Sequence, residues 1–304
     1  EEFETWLKSG ITEHDPGSLA WRTRLALVSK LLQEAWDRPL AAASSADDQH
    51  PFVDLWQPLH APAIAWLQEQ IGSSSRDGGI APAAMTQLAD GLIQRLCSIG
   101  EQVLWSCFRS ERTPGTMLLA HLGAAGDGSG PPVREHYEAF VQRHRRDGLK
   151  SLLLEFPELG RLLGTVIELW LQASVDMLER VSSDRLELES KFGIPAHLHL
   201  EGIKQGLSDP HRGGRAVAIL SFGLADEEDS KWKVVYKPKD MRLDAVYQAV
   251  LRDLNQRSDL APLRMLEIHC GQGYGYMEYV SHQLCVDEQE LEKFYFNSGR
   301  LTAV

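Results

Sequence analysis

The chain has 304 residues, 43% of them hydrophobic and 24% charged, and this balance argues against a disordered or fibrous protein. A net charge of -12 argues against broad nucleic-acid binding, which needs a basic surface. Four cysteines are too few for a disulfide framework, so we expect buried thiols in a reducing, cytoplasmic compartment. We expect neither a secretory signal at the N-terminus nor a membrane span, because no apolar stretch is long enough for one.

The first two hundred residues are predicted to be mostly helical. Three segments carry apolar side chains at helical spacing: residues 21–36, 52–71 and 82–108. Two glycine-rich stretches are predicted loops: residues 72–79 and 123–132. A further helix is predicted over 134–156, and Pro157 begins another, because proline is tolerated in the first turn of a helix. The last helix carries an apolar stripe that we interpret as core packing, namely Leu159, Leu162, Leu163, Val166, Trp170 and Leu178.

The pattern changes near residue 201, where β-rich runs begin. Four runs are predicted to form two antiparallel pairs of strands: 215–222 with 231–239, and 265–270 with 274–280. The acidic segment 223–230 suits a solvated hairpin turn, and Gly271-Gln272-Gly273 suits a second turn. Helices are predicted over 244–255 and from Asp287 onward, the last one still running at residue 304.

These elements predict an α+β protein in which a mostly helical N-terminal region precedes a small lobe with an antiparallel sheet. Four regions are expected: a helical N-terminal region (1–122), a second helical region (133–200), the small lobe (201–286), and the start of a helix that leads to a further lobe (287–304).

Lys237 is the first candidate functional residue. Two strands, a helix, two more strands and a helix follow the layout of a kinase-like small lobe, in which a strand lysine contacts ATP phosphates. Lys237 ends the second strand in the run Val-Val-Tyr-Lys-Pro-Lys. Alternation places it on the face opposite Trp232 and Tyr236, and Pro238 should end the strand. A surface lysine on a strand is the alternative interpretation.

The turn before the first predicted strand is the second candidate. Gly213 and Gly214 let a backbone approach a phosphate closely, and Arg215 supplies charge and donors. The sequence is neither a G-x-G-x-x-G loop nor a Walker loop, so a polar turn explains it equally well. On the following helix Asp244 or Asp253 could partner Lys237, and a solvated helix face is the alternative for both.

A metal site is not predicted. Four potential ligands lie near one another in sequence: His269, Cys270, His282 and Cys285. Their spacing is not that of known zinc sites, and the adjacent His269 and Cys270 should point to opposite faces of a strand.

Several segments resemble, in order, class II lanthipeptide synthetases of the LanM type. They are HPFVDLWQPL, REHYEAFVQRH, LLLEFPELGRLL, SDPHRGGRAVAILSFG with KVVYKPKD, GYGYMEYV and LEKFYFNSGRL. The chain resembles the N-terminal portion of the dehydratase domain of these enzymes, which is lipid-kinase-like.

The resemblance implies dehydration of Ser and Thr in a precursor peptide. The hydroxyl is phosphorylated from ATP with Mg²⁺, and phosphate is then eliminated to leave a dehydroamino acid. Lys237 matches the ATP lysine of the family, and Asp209 and His211 match a pair that handles phosphate. Arg215 and the two glycines before it are expected to contact the nucleotide. The implied partner is the precursor peptide, with its leader and its core.

The sequence also departs from the family pattern. The family's Asp-x-His-x-x-Asn stretch and its second metal-binding Asp are missing, as is the zinc cyclase domain, so this fragment is expected to be incomplete for catalysis. Tyr276 stands where the family usually has Trp. Two alternatives stay open: a module that binds the leader peptide without turnover, and an unrelated kinase-like protein that acts on a lipid or small molecule.

Overall fold

The computed structural model describes seven stretches: residues 50–71, 79–111, 132–146, 149–211, 213–224, 232–257 and 262–303. These residues form an α+β fold with a helical N-terminal region and a five-stranded antiparallel sheet, as the sequence predicts. The predicted helix at 21–36, most of the two predicted loops and the tip of the first hairpin lie outside the described residues. The chain divides into two compact units, Glu1–Ile71 with Leu88–Asp176, and Gly72–Gln87 with Met177–Val304.

Helices make up the described part of the first unit. They are α1 (Val53–Trp56), a 3-10 turn (Gln57–Leu59), α2 (His60–Gln70), α3 (Pro82–Ser110), α4 (Pro132–Arg146), α5 (Lys150–Glu155) and α6 (Pro157–Ser183), of which α3 and α6 belong to this unit only in part. The helix predicted over 134–156 is in fact two helices. Leu149, at the start of α5, has a φ of 58°, and this left-handed residue marks the break between them.

The core of the first unit is rich in aromatic side chains. The ring of Phe52, which is fully buried, lies 5.2–6.2 Å from the rings of Trp105, Phe108, Tyr137 and Phe140. The Trp170 indole donates a hydrogen bond to the Leu88 carbonyl at 3.0 Å, so this buried donor is satisfied.

The apolar stripe of α6 is confirmed at four of its six positions, which include Leu178, and Val166 is only half-buried. Leu159, Leu163 and Trp170 are buried, whereas Leu162 is 41% exposed, so its assignment to the core was wrong. The reason is geometric. The buried row runs from Leu163 to Ile167, four residues later, and Leu162 lies about 100° around the helix from Leu163 and so points away from this row.

The second unit is built on the sheet. Its elements after α6 are α7 (Arg185–Phe192), β1 (His199–Lys204), β2 (Ala218–Gly223), β3 (Trp232–Lys237), α8 (Arg242–Arg257), β4 (Ile268–Cys270), β5 (Gly275–Glu278) and α9 (Glu288–Thr302). The strand order is β1-β2-β3-β5-β4, and every neighbouring pair is antiparallel. Both predicted pairs and their order are confirmed, whereas α9 ends at Thr302, so the prediction that this helix still runs at residue 304 was wrong.

Strand β1 was missed by the sequence prediction. A register shift between Leu200 and Gly202 interrupts its alternation, because one extra residue places the next apolar side chain, Ile203, out of phase. Strand β1 has two further contacts that do not belong to the five-stranded sheet. Ile80 forms an isolated bridge with Leu200, and the Gln87 side chain accepts a hydrogen bond from the Ile203 amide at 2.6 Å.

The two faces of the sheet differ in burial. One face is packed and includes Leu220, Phe222, Val234, Tyr236 and Tyr276, all nearly or fully inaccessible. The opposite face carries Ile219, Val235, Met277 and Ile268, which are only half-buried. We call these four residues the apolar strip. Paired strand residues share a face, so the register places the strip across four neighbouring strands.

A hydrogen-bonded cluster anchors the packed face to the helices. The Asp184 carboxylate accepts hydrogen bonds from the hydroxyls of Tyr274, at 2.7 Å, and Tyr276, at 3.1 Å. Arg180, one turn earlier, donates to the Tyr236 hydroxyl at 2.7 Å, and its guanidinium lies 4.4 Å from the centre of the Tyr274 ring. Burial, followed by the charge of Asp184, raises the pKa of the Tyr276 hydroxyl far above its usual value.

Within the described residues, no helix has the length and apolar character needed to cross a membrane. The four cysteines, all in described stretches, form no disulfide, but the expectation that all are buried was wrong: Cys97 is buried, Cys107 is intermediate, and Cys270 and Cys285 are exposed. The two exposed cysteines lie at the outer strand β4 and in the segment before α9.

Candidate functional site

Lys237 is the last residue of β3, and Pro238 follows it as predicted. The strand pairs with β2 and β5, so it is the central strand of the sheet. Tyr236 lies on the packed face and Lys237 on the opposite one, which confirms the prediction from alternation. Lys237 therefore extends from the half-buried face, beside the apolar strip.

The Lys237 ammonium does not lie in bulk water, because its side chain is only 20% exposed. Nζ lies 3.6 Å from the Sδ of Met277, a weak acceptor, and 3.9 Å from Oδ1 of Asp244. Burial lowers the pKa of Lys237 below the ordinary lysine value; the Asp244 charge opposes this effect and the Lys239 charge adds to it. Lys237 is thus a partly desolvated cation, and the ionic contact described for it, with Asp244, is long.

Asp244, and not Asp253, is the carboxylate next to Lys237. Asp244 lies in the first turn of α8, which begins soon after β3 ends, whereas Asp253 pairs with Arg257 at 2.8 Å. The separation follows from helix geometry, since nine residues advance a helix by about 13 Å. Lys239 also binds Asp244, with its Nζ 2.9 Å from Oδ2 and 3.2 Å from Oδ1. Sequence spacing alone does not distinguish the two aspartates, and it carries no signal for Lys239.

The glycine turn between β1 and β2 holds the other predicted residues. His211 and Arg215 exchange two backbone hydrogen bonds, 2.8 and 2.9 Å long, and so close a tight hairpin. Gly213 and Gly214 have φ values of 81° and 80°, a left-handed conformation that other residues rarely adopt. Asp209 and His211 are exposed in the same turn. The structure thus brings Asp209, His211, the two glycines and Arg215 into one segment.

Strand register places this turn and Lys237 at the same end of the sheet. Ala218, three residues after Arg215, pairs with Tyr236, the residue before Lys237. On the other side of β3, Lys237 pairs with Gly275, which in turn pairs with Cys270 of β4. The turn with its left-handed glycines therefore lies at the same end of the sheet as Lys237, and the partly desolvated lysine shares the half-buried face with the apolar strip.

Metal ligands do not cluster in the described stretches, where no group of three or more His, Cys, Asp or Glu side chains is assembled. His269 and Cys270 point to opposite faces of β4, as predicted, with the His269 ring 5.9 Å from that of Tyr276 on the packed side.

No curated protein matches the chain. Residues 156–304, which include the whole sheet, Lys237, Asp244 and the glycine turn, match the family described as Domain of unknown function (DUF4135).

Proposed function

We propose that this chain is the nucleotide-binding part of a lanthipeptide dehydratase, which phosphorylates Ser and Thr of a precursor peptide from ATP and Mg²⁺ and then eliminates phosphate. The observation that carries the proposal is the partly desolvated Lys237, held on the half-buried face of the sheet at the end where the glycine turn lies. The ordered motif resemblance and the matched domain, which is known in LanM-like proteins, support it.

The residues present fit a nucleotide. Lys237 offers ammonium donors that its long contact with Asp244 does not fully use, and an anionic phosphate is the ligand that compensates a desolvated cation. The apolar strip beside it offers an apolar surface of the kind that a nucleobase requires. The glycine turn can approach a phosphate because neither Gly213 nor Gly214 carries a side chain.

The proposed reaction gives each group a limited role. Phosphoryl transfer forms a bond from the Ser or Thr hydroxyl oxygen to the γ-phosphorus and releases ADP, and its main requirement is positioning and neutralisation of charge. Lys237 would bind and orient the phosphates. Elimination removes the Cα proton and breaks the Cβ–O bond, so phosphate leaves and a double bond remains. Arg215 and His211 are the candidates for binding that phosphate, and Mg²⁺ would supply further neutralisation.

Binding is the first test. Titration of the chain with MgATP in a calorimeter should give a saturable heat that is strongly reduced in Lys237→Gln. Lys233→Gln is the matched control, because Lys233 lies on the same strand and face but is exposed. Equal affinity of Lys237→Gln and the unmodified chain would contradict the proposal.

Turnover is the second test. The resemblance implies catalytic groups in addition to those named above, so this assay uses the protein as its gene encodes it. We expect the precursor peptide to lose the mass of one water for each residue dehydrated, and only when MgATP is present. Dehydration that survives Lys237→Ala would reject the role given to this lysine. Leader-peptide binding without any nucleotide binding would favour a recognition module, and phosphoryl transfer to a non-peptide acceptor would favour a different kinase.

A further inference from the structure

Lys239 contacts the Asp244 carboxylate more closely than Lys237 does. The Lys239 ammonium lies within hydrogen-bonding distance of both oxygens, at 2.9 and 3.2 Å, while the Lys237 ammonium is 3.9 Å from the nearer one. Lys239 is also the more exposed of the two lysines, with 53% of its side chain accessible against 20%. The Asp244 carboxylate thus contacts both lysines, and its shorter contacts are with the more exposed one, Lys239.

We propose that Lys239 is a positioning residue of the nucleotide site: by binding Asp244, it keeps that carboxylate from closing onto Lys237 and so leaves Lys237 available to phosphate. The inference rests on the proposed function. The two lysines compete for the lone pairs of the Asp244 carboxylate, and an ionic contact strengthens as the charges approach. A half-buried ion pair is screened less than an exposed one, so Asp244 would attract Lys237 if Lys239 did not hold it.

The neighbours of the two lysines support this arrangement. Lys237 lies against Met277, whose sulfur is a weak acceptor, so the lysine gains little from that side. Asp244 is 24% exposed and sits in the first turn of α8, where the positive end of the helix dipole also favours a carboxylate. The Asp244 carboxylate is therefore well stabilised without a short contact to Lys237.

Substitution of Lys239 tests the proposal. In Lys239→Gln the carboxylate is released and should pair with Lys237, so the affinity for MgATP should fall about three- to tenfold. Lys239→Arg, which keeps the charge and can bind a carboxylate with two donors, should restore the affinity. Arg257→Gln is the matched control: it removes a cation that pairs with Asp253 on the same helix, and it should leave the affinity unchanged.

A double-mutant cycle separates positioning from direct contact. If Lys239 acts through Asp244, then Lys239→Gln should have almost no further effect on MgATP affinity once Asp244→Asn is present. An equal loss in both backgrounds would mean that Lys239 binds phosphate itself, which would overturn the proposal. The cycle should be measured at physiological ionic strength, so that a distant effect of the lost charge is screened.

A second readout does not depend on any nucleotide. The pKa of Lys237 can be measured in the nucleotide-free chain from the pH dependence of its acylation. We expect it to rise in Lys239→Gln by more than the same change raises it in the Asp244→Asn background. An unchanged pKa would overturn the positioning role. Absence of MgATP binding in the unmodified chain would instead refute the proposed function, and the pKa measurement would still decide the role of Lys239.

Discussion

The hydroxyl of Tyr276 provides a prediction about how the sheet is held. This side chain is fully buried, and it donates to the Asp184 carboxylate at 3.1 Å. Tyr276→Phe removes the hydroxyl but keeps the ring. A hydrogen bond to a charged group contributes about 1.5–3 kcal/mol. Because Asp184 keeps its shorter bond from Tyr274, we expect the lower end of that range, a loss of about 1.5–2 kcal/mol in the free energy of unfolding.

Urea unfolding followed by circular dichroism measures this loss. Tyr279→Phe is the matched control; Tyr279 follows β5, and its ring, 5.7 Å from the Lys233 ammonium, stays in place, so the change should stay within about 0.5 kcal/mol. The pH dependence supplies a second check. Since the pKa of Tyr276 is raised in the folded state, its stabilisation is complete below about pH 10 and is lost as the pH rises above the unfolded value.

The difference in stability between the unmodified chain and Tyr276→Phe should therefore shrink above about pH 10. Equal stabilities of Tyr276→Phe and Tyr279→Phe at neutral pH would refute the account of this cluster. A stability difference between the unmodified chain and Tyr276→Phe that increases above about pH 10 would refute it as well.

Three further predictions concern the other side of the sheet. Lys237→Met should raise the free energy of unfolding by about 0.5–1 kcal/mol in urea titrations, because a partly desolvated cation is replaced by an apolar chain, while Lys233→Met should change it little. Gly275→Ala should cost about 2–4 kcal/mol, since an added Cβ would lie 2.4 Å from the His269 carbonyl oxygen; Gly299→Ala, with open space in α9, should be neutral or stabilising. MgATP affinity should fall as the pH rises through the pKa of Lys237, which lies below the usual lysine value of about 10.4. In Lys237→Gln the dependence of MgATP affinity on pH should flatten.

Much of the sheet could be predicted from the sequence because alternation and turn residues are local signals. The alternation in the run that ends at Lys237 predicted strand β3 and its two faces. Pro238 predicted where the strand ends, since it cannot donate a ladder hydrogen bond. Strand β1 escaped detection because the register shift between Leu200 and Gly202 breaks the two-residue period. Leu162 was assigned to the core because an apolar residue next to a buried row fits a helical stripe almost as well.

The contacts of the site depended on tertiary structure. Sequence spacing offered Asp244 and Asp253 as partners for Lys237, and only the packing of α8 against the sheet distinguishes them. Lys239 carried no signal of its own, because a lysine two residues after a strand is usually solvated. Its role depends on distances between three side chains that no periodicity encodes.

The central claim, that Lys237 faces the phosphates of a bound nucleotide, is tested most directly by an acyl-phosphate derivative of ATP. The lysine amine attacks the acyl carbon, an amide forms, and the nucleotide leaves with its phosphates, so only a lysine held at the phosphates is labelled rapidly. Peptide mapping by mass spectrometry should find the label on Lys237, suppressed by MgATP, with little on the exposed Lys233. Labelling of Lys233 at the same rate, or labelling of Lys237 that MgATP does not suppress, would contradict the claim.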